Sequence, residues 1–144
     1  MVDIAIGTET NGSISCPSSI NGIIGFKPTV GLVSRSGIIP ISSSQDTAGP
    51  MGKTLEIVAK TLEVISGYDP NDKATASVPE DFNYNFVDAT NNRRLNGIRF
   101  GLLNADNQHP QVIEFHNEIK SIVKKLGGEV IAVSYTHLTL PTNC

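Results

Sequence analysis

The sequence predicts an α/β fold, a mixed central β-sheet covered by helices, on three observations. Short apolar runs rich in β-branched residues, Ile4-Ala5-Ile6 and residues 98–103 and 129–132, read as strands. They alternate with two segments whose apolar residues recur at spacings of three and four. The second such segment lies between two of the strand-like runs, a strand, helix, strand unit that implies a parallel pair with a right-handed crossover.

From residue 3 to residue 51 nearly every residue is small, β-branched, Gly or Pro. Ile4-Ala5-Ile6 leads through Gly7 into a polar turn, Thr8-Glu9-Thr10-Asn11-Gly12, that presents Ser13 ahead of Ile14. Such a loop suits acyl transfer, because backbone N–H groups released from regular pairing can converge on a developing oxyanion. Gly12, with no Cβ, admits a substrate carbonyl close to the chain. The same residues also read as a plain hairpin, since Asn-Gly is a strong hairpin signal, and residue physics alone favours the hairpin.

Cys16-Pro17 and Ser18-Ser19 read as a continuing irregular turn. Residues 20–29 alternate Gly with aliphatics, which permits close packing and sharp turning; the Gly-Lys-Ser/Thr spacing of a phosphate loop is absent. Residues 30–41 give short extended pieces broken by Gly31, Gly37 and Pro40, and residues 42–47 a polar loop in which Asp46 suits an Asx turn.

Thr54 reads as an N-cap, Leu55, Val58, Leu62 and Ile65 as the stripe of a helix packed on the sheet, and Gly67 as its C′ residue. After a turn at 67–72 the chain shows no period up to about Asn92. There Phe82, Tyr84 and Phe86 alternate, which fits either a short edge strand or a surface excursion pinned by the rings. In the crossover helix the stripe is Val112, Phe115, Ile119, Ile122 and Leu126, closed by Gly127-Gly128. Ser121-Ile122-Val123-Lys124 on this helix satisfies the S-x-x-K pattern of penicillin-recognising enzymes. Ser121 and Lys124 fall outside the stripe and face water, so the match reads as coincidence. His109, His116 and His137 share no ligand spacing with one another or with Cys16, and no metal is expected.

A chain of 144 residues, 39% hydrophobic with a net charge of −3, suits one small globular domain with a modest core. No basic cluster points to nucleic acid, and no apolar run approaches the roughly 18–20 residues that span a bilayer. Met1 is followed directly by Val2-Asp3, without the basic segment of a signal peptide. Cys16 and Cys144 are read as unpaired, which suits a cytoplasmic setting.

The strings GTETNGSI, CPSSINGIIGFKPTVGLVSRSGIIPIS and SQDTAGPM closely resemble the amidase signature family, and within it the peptide amidase and aliphatic amidase branch. The resemblance covers residues 3–67 almost without a gap. It implies that Ser13 attacks the amide carbonyl and that the N–H groups of Thr10, Asn11 and Gly12, with that of Ser13, line the oxyanion hole. It implies Asp46 as a supporting residue that holds loops by accepting backbone N–H bonds. The family's base is a neutral lysine acting through a second serine with a cis peptide bond, both before the nucleophile, and the chain is expected to begin too late to contain them. Lys27, Lys53 and Lys60 do not match that lysine, and a triad of Ser18 or Ser19 with Lys27 runs against the family's order.

The resemblance further implies a small-molecule or peptide amide as substrate, no cofactor, and a polypeptide inactive by itself. Residues 1–67 would be the amidase core with its nucleophile loop, 68–97 a connecting segment, and 98–132 a βαβ continuation. Two alternatives stand beside the hydrolase. One is the amidase subunit of the glutamyl-tRNA amidotransferase, whose pattern has Gly-Gly-Ser at the nucleophile and Arg two residues later, where this chain has Asn11-Gly12-Ser13 and Ser15. The other is a remnant whose loop only binds.

From Val133 the chain reads VSYTHLTLPT, which reverse-translates without a gap as GTC TCT TAT ACA CAT CTG ACG CTG CCG ACG and resembles a transposon-end adapter. Residues 133–144 are therefore expected to be a non-native read-through tail, and Tyr135, His137 and Cys144 carry no functional argument.

Overall fold

A computed structural model of the chain describes residues 2–91, 94–104 and 107–133. It forms two compact units, Met1–Asn92 and Arg93–Cys144, each with a sheet of its own.

The first unit is built on a three-stranded antiparallel sheet of β1 (Ile4–Glu9), β2 (Ile24–Gly25) and β3 (Thr47–Gly52) in the order β1-β3-β2. Strand β1 runs past its apolar start through Gly7 and Thr8, so that Glu9 lies opposite Thr47. Its inward residues are the small Ala5 and Gly7 and then Glu9, while Ile4 and Ile6 face outward. Those small residues leave room for Ile14, which is fully buried: a Cβ on Gly7 would stand 3.3 Å from Ile14 Cγ1. Strand β3 begins where the sequence reads as the end of a polar loop. Two glycines and a proline obscure it, yet the glycines are what let it be central, since a Cβ on Gly49 would meet the Phe26 carbonyl oxygen at 2.0 Å.

The expected irregular turn at Cys16–Ser19 is instead a short helix, α1 (Ser15–Ile20). Pro17 falls in its first turn, where a missing N–H costs nothing. Helix α2 (Leu55–Ile65) forms as predicted: the Thr54 hydroxyl accepts the Ile57 N–H at 3.3 Å, and Gly67 beyond its end has φ +147°. Val58, Ala59 and Leu62 are buried, with Leu62 joining Val33 and Ala48 in the core and Leu32, Ile38, Ile65 and Phe86 packed around them. Leu55, predicted on this face, is half exposed because the stripe is rotated toward Ala59. Phe82, Tyr84 and Phe86 do not form a strand. The first two rings meet edge to face at 4.9 Å between centroids, and Phe86 opens a short helix α3 (Phe86–Asn91), with the Val87 N–H donating to Glu63 Oε1 on α2.

Two carboxylates fix the 30–41 segment against the 69–77 region. Asp72 takes Nε and Nη2 of Arg35 at 2.9 and 2.8 Å and the Arg35 N–H at 2.9 Å, and it caps the 3₁₀ turn Lys73–Ser77 through the Ala74 N–H. Asp69 accepts the hydroxyls of Ser34 and Ser36 and the N–H of Asn71.

The second unit is the strand, helix, strand arrangement of β4 (Arg99–Leu103), α4 (Pro110–Lys125) and β5 (Glu129–Val133), with β4 and β5 parallel from Arg99 opposite Glu129 to Leu103 opposite Val133. Pro110 occupies the first turn of α4, and Lys124 and Lys125 its last, where cations suit the helix dipole. The predicted stripe is displaced. Val123 is buried and Ile113, Ile119 and Leu126 are half-buried, whereas Val112, Phe115 and Ile122 are exposed, because α4 carries apolar residues on two faces and only one meets the pair of strands. Ser121 and Lys124 are exposed. Of the tail, Val133 closes β5, and residues 134–144, including Tyr135, His137 and Cys144, lie outside the described residues.

The Ser34, Ser36 and Asn71 donors hold the Asp69 carboxyl down to about 2, and Arg35 holds Asp72 well below the usual carboxylate range. With folded values below the unfolded one near 4, these bonds contribute fully above about pH 4 and are lost as pH falls through the folded values. The melting temperature should therefore drop on acidification from about pH 4 to about pH 2, and Asp69→Asn should make that drop shallower. Thermal melts across this window read both outcomes.

Candidate active site

Ser13 sits between the end of β1 and the start of α1, exposed to solvent. What places it there is Glu9, the last residue of β1, 5% exposed. Its carboxylate accepts the N–H groups of Gly12 (2.7 Å, Oε1) and of Ile14 and Ser15 (2.7 and 2.9 Å, Oε2), with the Ser15 hydroxyl at 3.4 Å from Oε1. The turn thus wraps around one negative charge. Burial pushes the Glu9 carboxyl up, but the backbone donors Gly12, Ser15 and Ile14 outweigh it, and the group is held below its ordinary value. The same contacts satisfy the first N–H groups of α1, which has no side-chain N-cap at Ile14. Gly12 turns the chain at φ +95°, a conformation that favours glycine, and its carbonyl accepts the Cys16 N–H at 2.8 Å.

Asp46, 6% exposed, forms a second clamp. Oδ1 accepts the Thr10 hydroxyl at 2.5 Å, and Oδ2 accepts the N–H groups of Ile41 and Ser42, both at 2.8 Å. The Thr10 hydroxyl, against the effect of burial, lowers the Asp46 carboxyl, and the two N–H groups add to it. Asp46 thereby ties the loop around Ile41 to the turn that carries Ser13. Beside them lies a small cavity of about 90 Å³ lined by Thr10, Ser13 and Asp46 together with Ile38, Ile39 and Ile41.

Thr10, Asn11 and Gly12 are thus brought together ahead of Ser13, but not as equals: the Gly12 N–H, expected to face an oxyanion, is donated to Glu9. Glu9 itself reads in the sequence as no more than a turn residue. The signal that would have found it is an acidic residue at a strand end, three to six positions before a run of small residues with free N–H groups. The other serines and lysines weighed from the sequence are placed elsewhere. Ser18 is 2% exposed and sealed behind β2, where a Cβ on Gly25 would stand 2.2 Å from its Oγ. Lys27 Nζ is bonded to the Gln45 carbonyl at 3.2 Å, and Lys60 to Glu56 at 2.6 Å. Among the described residues no group of three or more His, Cys, Asp or Glu could hold a metal ion, and no helix is long and apolar enough to cross a membrane.

Comparison with known proteins gives a consistent result. The sequence model of the Amidase family matches residues 1–141. The X-ray structure of native peptide amidase from Stenotrophomonas maltophilia superposes with a TM-score of 0.79 at 44% identity, over 92% of this chain and 27% of that one. A putative amidase of Arthroderma benhamiae is 38% identical over 130 residues, 88% of this chain and 22% of its own length. A glutamyl-tRNA(Gln) amidotransferase subunit of Nocardia farcinica is 38% identical over 140 residues, 93% of this chain and 28% of its own length. The chain therefore spans less than a third of the length of these relatives.

Glu9→Ala should leave three turn N–H groups without an acceptor and cost about 2–4 kcal/mol of unfolding free energy. The exposed Glu56→Ala, which removes one solvent-screened i,i+4 pair, should leave the unfolding free energy nearly unchanged. Urea titrations of the two variants test the difference, and equal losses would mean that the buried carboxylate does not organise the turn.

Proposed function

Because the chain belongs to the amidase signature family, we propose that it carries the nucleophile segment of a serine-dependent amidase, which hydrolyses a carboxamide to a carboxylate and ammonia or an amine. The observation that carries this reading is the exposed Ser13 held at a cavity mouth by a turn whose shape is set by Glu9. In the proposed reaction Ser13 Oγ attacks the amide carbon. The negative charge that develops on the carbonyl oxygen is held by the backbone N–H groups of Thr10, Asn11 and Ser13. Gly12 contributes open space rather than a donor, its own N–H being donated to Glu9. The amine then leaves as an acyl ester on Ser13 forms, and water hydrolyses that ester.

A serine hydroxyl needs a base within hydrogen-bond reach. Lys27 and Lys60 are engaged elsewhere, and the proposed base is the neutral lysine of the family acting through a second serine, both supplied by the remainder of the parent protein. The present polypeptide is accordingly proposed to be inactive by itself. The hydrolase is preferred to the amidotransferase component because Asn11 and Ser15 depart from the pattern of the latter.

In the full-length protein containing this segment, Ser13→Ala should lower kcat for amide hydrolysis on the order of 10⁶-fold and leave the fold unchanged. Lys27→Ala should have far less effect. A fluorophosphonate probe should label Ser13 in the full-length protein and not in the 144-residue chain. Stoichiometric labelling of the short chain would show that a base is already present in it.

A further inference from the structure

The sequence carries three Asn-Gly pairs, Asn11-Gly12, Asn21-Gly22 and Asn96-Gly97. Each is a place where the chain can modify itself. The backbone nitrogen that follows an asparagine can attack the side-chain amide carbon, and glycine, with no Cβ, lets it approach most freely. A carbon–nitrogen bond forms to give a cyclic imide, and the amide nitrogen leaves as ammonia, taking up the proton lost from the backbone nitrogen. Water then opens the ring to aspartate or isoaspartate. At residue 11 the damage falls on the nucleophile turn: the imide removes the Gly12 N–H that Glu9 accepts, and isoaspartate lengthens the main chain by a methylene just before Gly12 and Ser13.

The three pairs differ in what holds them. The Gly12 N–H donates to the Glu9 carboxylate at 2.7 Å, whereas the Gly22 N–H donates to a neutral acceptor, the Ser19 carbonyl, at 3.2 Å. The turn around Asn96-Gly97 is closed from outside the pair, by the Ile98 N–H on the Leu95 carbonyl at 3.0 Å. Cyclisation requires the glycine nitrogen to shed its proton as it bonds to carbon. At Gly12 that proton is the one Glu9 holds, and a fixed negative charge so near opposes negative charge building on the nitrogen. Glu9 is also a weak base: burial pushes its carboxyl up, but the Gly12, Ser15 and Ile14 N–H groups outweigh burial and hold it below its ordinary value. To move toward the Asn11 side chain, the Gly12 nitrogen must leave a carboxylate that Ile14 and Ser15 keep anchored in place.

We propose that Glu9 protects Asn11-Gly12 from this cyclisation, so that the asparagine beside the nucleophile is the slowest of the three to deamidate and the chain ages first at Asn21 and Asn96. The protection belongs to the turn itself and holds whether or not Ser13 attacks an amide.

The test incubates the 144-residue chain at mildly alkaline pH, folded and in urea, and follows each asparagine by peptide mass spectrometry, with isoaspartate read by an isoaspartyl methyltransferase. In the folded chain Asn11 should react on the order of tenfold to a hundredfold more slowly than Asn21, the factor expected for breaking one charge-assisted hydrogen bond. In urea the three rates should converge. Glu9→Gln, which removes the charge and nearly keeps the side-chain shape, should bring Asn11 close to the Asn21 rate and leave Asn21 where it was. If that variant does not melt cooperatively, Glu9→Asp, which keeps the charge and shortens its reach, gives the reading, with Asn11 alone faster than in the unaltered chain. Asn11 reacting as fast as Asn21 in the unaltered folded chain overturns the proposal. So does an Asn11 rate that is unchanged in a cooperatively melting variant, or one that falls, which would mean that the carboxylate serves as the base. An equal rise at Asn11 and Asn21 in such a variant also overturns it, since the protection would then come from the rigidity of the whole unit.

Discussion

The structure of the first unit depends on one buried negative charge. Taking the Glu9 carboxylate out of water costs several kcal/mol, and only donors with good geometry offset it. Three backbone N–H groups do so, all within six residues along the chain. Charge-assisted bonds of this kind are worth about 1.5–3 kcal/mol each. The carboxylate is thereby decisive for the shape of residues 10–15, and removing it leaves the three N–H groups without their acceptor. Strand β1, the Gly12 turn and the first turn of α1 are thus locked as one piece, and Ser13, itself exposed, takes its position from that piece.

A second set of carboxylates carries this order outward. Asp46 joins the Ser13 turn to the loop at Ile41 and Ser42, Arg35 donates to the Ser43 carbonyl of that same loop, and Asp72 receives Arg35 in a two-toothed pair. Segments far apart in sequence are connected mainly by side chain to side chain bonds, and the backbone of the 41–43 loop is held by the same carboxylate and guanidinium groups. This matters because residues 34–46 have almost no regular pairing of their own, with only Val33 bridging to Ser66 nearby. Polar bonds replace the ladder that a strand would have supplied.

Elements governed by local rules were legible in the sequence. Helix α2 had a Thr cap, a stripe and a C′ glycine, and β4, α4 and β5 had period, punctuation and order. Where a distant contact decided the outcome, the sequence was silent. Strand β3 is made of residues that disfavour strands and exists because Gly49 lets the Phe26 backbone approach. Helix α1 has poor helix formers and exists because Glu9 satisfies its first N–H groups. On α4 both faces carry apolar residues, so periodicity alone could not choose between them. In the candidate site the motif strings pointed to Ser13 and its three preceding residues, but the group that arranges them was hidden, since a glutamate in a polar turn looks like any solvated residue.

With both nearby carboxylates occupied, the cavity beside Ser13 is left with backbone, hydroxyls and apolar side chains. In the proposed reaction such a surface has no mobile charge to rearrange as a tetrahedral oxyanion forms, and fixed N–H dipoles stabilise that charge without reorganisation. The hydrogen bonds that shape the turn therefore also keep both carboxyls ionised and out of proton transfer near neutral pH. Saturating Glu9 and Asp46 from within places two fixed negative charges beside Ser13 and orients around them donors that would otherwise point elsewhere.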